Sequence, residues 1–128
     1  MNDLIQLDIV TPMGMIYAGE VRPVVLPGSE GEFGILKGHA SLIASLKAGV
    51  IDIEKEDQKH EYIAIDSGFA EVNEFKATIL AKGAVAINAD ENSEIASNLD
   101  KAKELLKSAS SDSAALASTF ASIDKKLG

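Results

Sequence analysis

The segment from residue 28 to residue 49 reads Gly-Ser-Glu-Gly-Glu-Phe-Gly-Ile-Leu-Lys-Gly-His-Ala-Ser-Leu-Ile-Ala-Ser-Leu-Lys-Ala-Gly. Glycines at positions 28, 31, 34 and 38 permit backbone angles that residues with a Cβ atom resist, so the segment is predicted to form tight turns. Phe33, Ile35 and Leu36 are expected to hold these turns against a core. Glu30 and Glu32 are costly to bury and are therefore expected at an exposed tip.

The residues before this segment carry the patterns of short β-strands. Ile5, Leu7 and Ile9 alternate with polar residues, which is the period of a half-buried strand. Residues 11–14 predict a turn, and residues 15–18 and 21–26 predict two more strands. Pro23 cannot donate to a ladder, so it is expected at an edge or a bulge.

The residues after this segment predict further short strands, at 50–53, 61–67, 68–72, 76–81 and 85–87. Many short strands separated by turns favour a sandwich or a barrel over alternating βαβ units. The prediction for residues 1–88 is therefore an antiparallel β-sandwich of about ten short strands.

Near residue 88 the apolar period changes from that of strands to that of helices. Ile95, Leu99, Ala102 and Leu106 recur on one helical face, and the same spacing returns from residue 116 to residue 127. A short serine-rich loop separates the two segments, so residues 89–128 are predicted to form an antiparallel two-helix hairpin. Its seam is rich in alanine and buries little apolar area, so we expect it to be weakly held.

The bulk composition excludes several classes of function. The net charge of −8 argues against binding to nucleic acid or to anionic lipid, and the absence of cysteine excludes disulfide and thiolate chemistry. The N-terminus lacks a secretion signal, and no stretch approaches the ~20 apolar residues of a membrane span. We therefore expect a soluble intracellular protein, without direct membrane insertion, whose contact with a membrane goes through another protein.

No catalytic constellation emerges from the titratable residues. His39 follows a turn glycine, where a backbone hydrogen bond is favoured over acid–base work, and His60 is expected to be solvated. Glu30, Glu32 and His39 lack metal-ligand spacing, so no metal or cofactor is expected. The residues alone indicate a binding or coupling protein. The alternatives are a free-standing adaptor module and a small enzyme or ligand-binding module whose site needs a partner chain.

Three separated segments resemble the epsilon subunit of F-type ATP synthases. They are residues 28–51, residues 67–72 (Ser-Gly-Phe-Ala-Glu-Val) followed by 78–81 (Thr-Ile-Leu-Ala), and the opening strand at 7–12 (Leu-Asp-Ile-Val-Thr-Pro). The order of parts, with the sandwich first and an alanine-rich hairpin last, is also similar.

The resemblance implies a non-catalytic rotor subunit of the central stalk, which couples proton translocation to ATP synthesis. The sandwich would pack on the gamma subunit and rest on the ring of c subunits, with Glu30, Gly31, Glu32, Phe33 and His39 facing that ring. It further implies a peripheral position on the cytoplasmic face of the bacterial plasma membrane.

For the hairpin, the resemblance implies contact with the alpha and beta subunits and inhibition of ATP hydrolysis. Leu99, Asp100 and Lys103 match a nucleotide-binding motif of the family. Lys103 replaces the motif arginine and loses its planar fork, and Glu104 replaces an alanine. Both differences argue against ATP as a ligand.

Overall fold

The computed structural model describes residues 3–38, 40–88 and 95–109, which form ten strands and one helix. The strands are β1 (Ile5–Thr11), β2 (Gly14–Val21), β3 (Val24–Leu26), β4 (Phe33–Ile35), β5 (Leu42–Leu46), β6 (Gly49–Glu54), β7 (His60–Ile65), β8 (Gly68–Val72), β9 (Lys76–Ala81) and β10 (Ala84–Ala86). The helix is α1 (Ile95–Ala109). The predicted number of strands is confirmed. The second helix of the expected hairpin lies outside the described residues.

The largest sheet has five strands in the order β2-β1-β9-β8-β5. Its inner face carries the alternating residues that the sequence pattern assigns to a core, and Ile5, Leu7 and Ile9 of β1 are buried. One pairing differs from the expected antiparallel arrangement, because β1 and β9 run parallel. The chain passes through the other sheets between these strands, so β9 can return in the direction of β1 without a hairpin.

A three-stranded sheet, β10-β7-β6, and the β3–β4 hairpin lie against this inner face. The main core is one continuous cluster to which all three sheets contribute. Its members include Leu7, Ile9 and Ile79 from the large sheet, Ile51, Ile53, Ile63 and Ile65 from the three-stranded sheet, and Leu26 and Ile35 from the hairpin.

Helix α1 packs on the outer face of the three-stranded sheet. Ala102 and Leu106 are fully buried there and Leu99 is half-buried, which confirms the helical face predicted from the apolar spacing. No helix among the described residues has the length and apolar character needed to cross a membrane.

Three local expectations need correction. The segment from residue 28 to residue 49, predicted to form tight turns, also contains the strands β4 and β5. Residues 14–21 form one continuous strand through Gly19, and Pro23 lies between β2 and β3 rather than inside a strand. Leu36 does not help to hold the glycine-rich segment, because its side chain is 53% exposed. Phe33 and Ile35 do pack on the core, as expected.

Candidate functional site

The glycine-rich segment begins as the tight connection between β3 and β4. A Cβ atom on Gly28 would lie 2.4 Å from the carbonyl oxygen of Gly31 and 2.8 Å from the Phe33 ring, so only glycine fits there. Gly31 donates its N–H to the Gly28 carbonyl oxygen at 3.1 Å and has a φ of 126°, which favours glycine. The aromatic ring of Phe33 therefore packs between the turn and the core and stabilises the turn.

This turn projects from one end of the sandwich. The Ser29 N–H donates to the Ser45 carbonyl at 2.9 Å, and the Lys47 N–H donates to the Pro27 carbonyl at 2.9 Å, so the turn lies beside the last residues of β5. Glu30, Gly31 and Glu32 are exposed, which confirms the predicted tip. We call these three residues the acidic tip.

The later part of the glycine-rich segment lies at the other end of the sandwich. The Gly38 N–H donates to the Glu74 carbonyl at 2.9 Å, beside the turn between β8 and β9. The five residues of β5 separate this contact from the acidic tip by about 13 Å. His39, the remaining candidate, lies outside the described residues. The structure therefore brings Glu30, Gly31, Glu32 and Phe33 together and places Gly38 apart from them.

A second candidate surface is the outer face of the five-stranded sheet, which no described element covers. Cross-strand pairing aligns Met15 with Val10, Val10 with Leu80, Leu80 with Phe69, and Phe69 with Ser45. Three apolar side chains among them are at least half exposed: Met15 is 58%, Phe69 56% and Leu80 50% exposed. We call Met15, Val10, Leu80 and Phe69 the apolar row.

The apolar row continues into a groove at the end of the sandwich that carries the acidic tip. The groove has a volume of about 620 Å³ and is lined by Val10, Pro12, Leu46, Phe69 and Leu80, among others. Leu46 pairs with Gly28 through an isolated β-bridge, which places the groove next to the turn that bears the acidic tip. Two features of different chemistry, one apolar and one anionic, are thus neighbours.

Sequence reasoning missed the apolar row, although a signal for it exists. The strand at residues 76–81 contains Ile79, Leu80 and Ala81 in succession, so both of its faces are apolar at this point. A half-buried strand with one face in water would alternate more strictly. Such a run indicates that the outer face of the sheet is also apolar at Leu80.

Beside the apolar row, the same face carries a charged pair. Lys76 Nζ lies 2.9 Å from Asp8 Oδ2, and the Gln6 side-chain amide donates to Asp8 Oδ1 at 2.8 Å. The hydrogen bond from Lys76, followed by that from Gln6, lowers the pKa of the Asp8 carboxyl below its ordinary value of 3.8.

The lowered pKa of Asp8 predicts a pH effect on stability. The stabilisation is present above the ordinary pKa and is lost as the pH falls through the lowered folded-state value. Lys76→Met removes the main cause of the lowered pKa, so the variant should lose less unfolding free energy than the unmodified chain between pH 5 and pH 2. The difference should not exceed about 1 kcal/mol, because Lys76 is 45% exposed and water screens the pair. Urea unfolding at a series of pH values measures this, with Lys82→Met as the exposed control. Identical pH profiles for Lys76→Met and the unmodified chain would contradict it.

His60, the histidine within the described part of the chain, does not belong to a hydrolytic site. His60 Nδ1 lies 2.6 Å from Asp52 Oδ1, and its ring stacks on Tyr62 with centroids 6.3 Å apart. His60 is thus partnered across two strands rather than only solvated, and this pair lacks the nucleophile that a triad needs. Burial raises the pKa of the Tyr62 hydroxyl, and the nearby Asp52 charge adds to the effect. Among the described residues, no group of three His, Asp or Glu side chains is placed to hold a metal ion.

The nucleotide-motif residues lie on α1, where spacings of three and four residues make Lys103 a neighbour of both Asp100 and Leu99. Leu99 packs in the apolar cluster beneath the helix, whereas Asp100 is exposed. Lys103 is half-buried and is followed by the exposed Glu104, whose charge would repel phosphate.

A β-sandwich with a helix on one face, an apolar row on the other and an acidic tip at one end is a subunit built to dock on other proteins. The family model described as the ATP synthase delta/epsilon chain, beta-sandwich domain, matches residues 4–87. The chain belongs to this family.

Relatives and solved structures agree with this assignment. The ATP synthase epsilon chain of Campylobacter lari is 65% identical over 127 residues, covering 99% of this chain and 98% of the relative. That of Campylobacter curvus is 51% identical over 122 residues, covering 95% of each. The structure is similar to a chain of the Euglena gracilis mitochondrial ATP synthase in its OSCP/F1/c-ring assembly, at 26% identity and a TM-score of 0.64, covering 100% of this chain and 84% of that one. A chain of the Tetrahymena thermophila mitochondrial ATP synthase central stalk and c-ring shares the fold, at 12% identity and a TM-score of 0.53, covering 82% of this chain and 95% of that one.

Proposed function

We propose that this chain is the epsilon subunit of an F-type ATP synthase, a non-catalytic subunit of the central stalk that couples proton translocation to ATP synthesis. The observation that carries this conclusion is the 65% identity, over 99% of the chain, to proteins named ATP synthase epsilon chain. The likeness to a chain in an F1/c-ring assembly supports the same position in the complex. The subunit makes and breaks no bonds, and its work is to transmit torque through packed interfaces.

The gamma subunit is the partner that we assign to the outer face of the five-stranded sheet. The apolar row spans four neighbouring strands, and contiguous exposed apolar side chains of this kind mark protein interfaces. Charged residues such as Asp8 and Lys76 lie next to the row and form a polar rim, as is usual around an interface core.

The acidic tip is the surface that we assign to the ring of c subunits. Glu30 and Glu32 are exposed. They lie on a tight turn whose conformation is restricted by the close packing of Gly28 against the Phe33 ring. Phe33 is half-buried and contributes indirectly, because its ring packs against the core and the turn. The net charge of −8 favours partner loops of opposite sign, and such complementarity acts mainly on orientation and association rate.

Residues 89–128 form, in this proposal, a regulatory helical hairpin next to a coupling domain of residues 1–88. The family model ends at residue 87, which supports this division. The hairpin would contact the alpha and beta subunits and inhibit ATP hydrolysis. ATP is not proposed as a ligand of α1, since Glu104 and the packing of Leu99 oppose it.

As part of a membrane-bound complex the chain is peripheral. The relatives from Campylobacter species support the cytoplasmic face of a bacterial inner membrane as its location.

The test uses the full chain in the reconstituted complex, with one cysteine introduced at a time. The chain contains no cysteine of its own, so each cross-link reports one position. Leu80→Cys is expected to cross-link to gamma and Glu32→Cys to a c subunit. Glu74→Cys, beside Gly38 at the opposite end of the sandwich, is the control and is expected to link to no c subunit.

The outcomes separate the parts of the proposal. Failure of the full chain to enter the complex would remove the rotor assignment and favour the free-standing adaptor. Entry with c-subunit links from Glu74→Cys instead of Glu32→Cys would overturn the role of the acidic tip while leaving the rotor assignment standing.

A further inference from the structure

Methionine supplies all the sulfur of this chain, which contains three methionines and no cysteine. Met13, in the turn between β1 and β2, is 95% exposed, and Met15, in β2, is 58% exposed. Methionine commonly fills gaps in a core or lines a binding surface, and neither of these side chains is in the core. Because no thiol competes for the oxidant, these exposed thioethers are ready targets for two-electron oxidation.

A bulge in β2 decides which face of the sheet carries the Met15 side chain. Val10 pairs with Met15, and a register shift next to this pair leaves Ile16 as an extra residue in β2. In a regular ladder Ile16 would be opposite Val10, and Met15 would move to the inner face of the sheet. The bulge instead packs Ile16 against the main core and places the Met15 thioether on the outer face.

Met15 forms the end of the apolar row at the edge of the five-stranded sheet. Within that sheet β2 pairs only with β1, and the Met15 side chain is open to water in the free chain. A flexible apolar thioether suits a protein interface. A sulfoxide at the same position carries a strong hydrogen-bond acceptor, and docking of a partner would remove this acceptor from water at a cost in affinity.

We propose that Met15 is a site of reversible oxidation by hydroperoxides and that its sulfoxide weakens the docking of the free chain on gamma. The sulfur takes one oxygen atom from the peroxide: the O–O bond breaks, an S–O bond forms, and the other oxygen leaves in water or an alcohol. The thioether loses two electrons, which the peroxide gains. This role of Met15 rests on the proposed function, because it takes the outer face of the five-stranded sheet as the gamma-binding surface.

The first measurement maps oxidation on the full chain, both free and bound to gamma. Hydrogen peroxide is the probe, and peptide mass spectrometry locates each added oxygen. In the free chain Met13 and Met15 are expected to oxidise at rates within about threefold of each other, because both are exposed. With gamma bound, Met15 should react at least about tenfold more slowly, whereas Met13, which is outside the apolar row, should react as before.

The second measurement compares the affinity of gamma for the oxidised and the untreated full chain. After the peroxide is removed, calorimetric titration should show about tenfold weaker binding, because one polar group is desolvated without a partner. A thiol-dependent methionine sulfoxide reductase should restore the affinity, since it returns the sulfoxide to the thioether. The urea midpoint of the oxidised chain should match that of the untreated chain, because Met15 is at a surface position.

Three substitutions assign the effect to one sulfur atom. In Met15→Leu, peroxide treatment should no longer change the affinity, because leucine has a similar volume and no thioether. Met13→Leu is the matched control, and it should bind gamma and lose affinity on oxidation as the unmodified chain does. Met15→Gln places a polar amide at the same position and should bind gamma about tenfold more weakly without any peroxide.

The outcomes separate this role of Met15 from the proposed function. Failure of the untreated chain to bind gamma would remove the proposed function and this role with it. If gamma binds but the affinity is the same before and after oxidation of Met15, only the role of Met15 is overturned. An equal loss of affinity in oxidised Met15→Leu, or equal Met15 oxidation rates with and without gamma, would overturn it in the same way. A lowered urea midpoint would show that the sulfoxide disrupts the sandwich instead of its docking face.

Discussion

Gly68→Ala is expected to lower the free energy of unfolding by about 3 kcal/mol, because the added methyl group has no space. A Cβ atom at this position would lie 2.3 Å from the Leu80 carbonyl oxygen and 3.0 Å from the Ala81 Cα atom. Both atoms belong to the backbone of β9, which cannot move without opening the five-stranded sheet. Urea unfolding, followed by circular dichroism, measures the change.

Gly34→Ala is the matched control for this substitution. Gly34 also lies in a strand, β4, but a Cβ atom there meets nothing within 4 Å. Its stability should stay the same or rise by up to about 1 kcal/mol, because alanine has less freedom in the unfolded chain. If Gly68→Ala unfolds at the same urea concentration as Gly34→Ala, the result would contradict the close approach of Gly68 to the backbone of β9.

Leu80→Glu is expected to weaken binding to the gamma subunit by about 100-fold while leaving the sandwich folded. Leu80 lies at the centre of the apolar row and is 50% exposed, so a charge there is solvated in the free chain and desolvated in the complex. Its unfolding free energy should change by less than about 1 kcal/mol, as is usual for a surface position. Calorimetric titration of gamma with the full chain measures the affinity.

Leu36→Glu provides the control for the same chemical change. Leu36 is 53% exposed, much like Leu80, but it lies next to Lys37 and Gly38 at the end of the sandwich opposite the acidic tip. Its affinity for gamma should match that of the unmodified chain. Equal weakening by both substitutions would mean that the loss is not specific to the apolar row, and no weakening by Leu80→Glu would remove the row from the interface.

Local patterns were sufficient to predict the helix and eight of the ten strands, whereas β4 and β5 lie in the segment that is predicted to form turns. The alternation of Ile5, Leu7 and Ile9 identifies β1 and its buried face, and the spacing of Leu99, Ala102 and Leu106 identifies the buried face of α1. These predictions succeed because each depends on residues a few positions apart, whose directions follow from the period of one element.

Long-range arrangement could not be predicted in the same way. The parallel pairing of β1 with β9 joins residues about 70 positions apart, and nothing in either strand specifies its neighbour. The separation of the acidic tip from Gly38 has the same origin, because a three-residue strand, β4, carries the chain between opposite ends of the sandwich. The full apolar row depends on the pairing of four strands, and the run from Ile79 to Ala81 signals only the part of it that lies on β9.

The position of β1 between β2 and β9 has a consequence for how the chain folds. β1 is synthesised well before β9, one of its two neighbours, which ends at Ala81. Until that strand has been synthesised, β2 is the only neighbour of β1 in its sheet, and a lone hairpin is marginally stable in water. The dominance of such distant pairings predicts slow folding for the length of the chain. During synthesis β1 and β2 therefore emerge from the ribosome well before β9, and we expect chaperones that bind exposed apolar strands to recognise them.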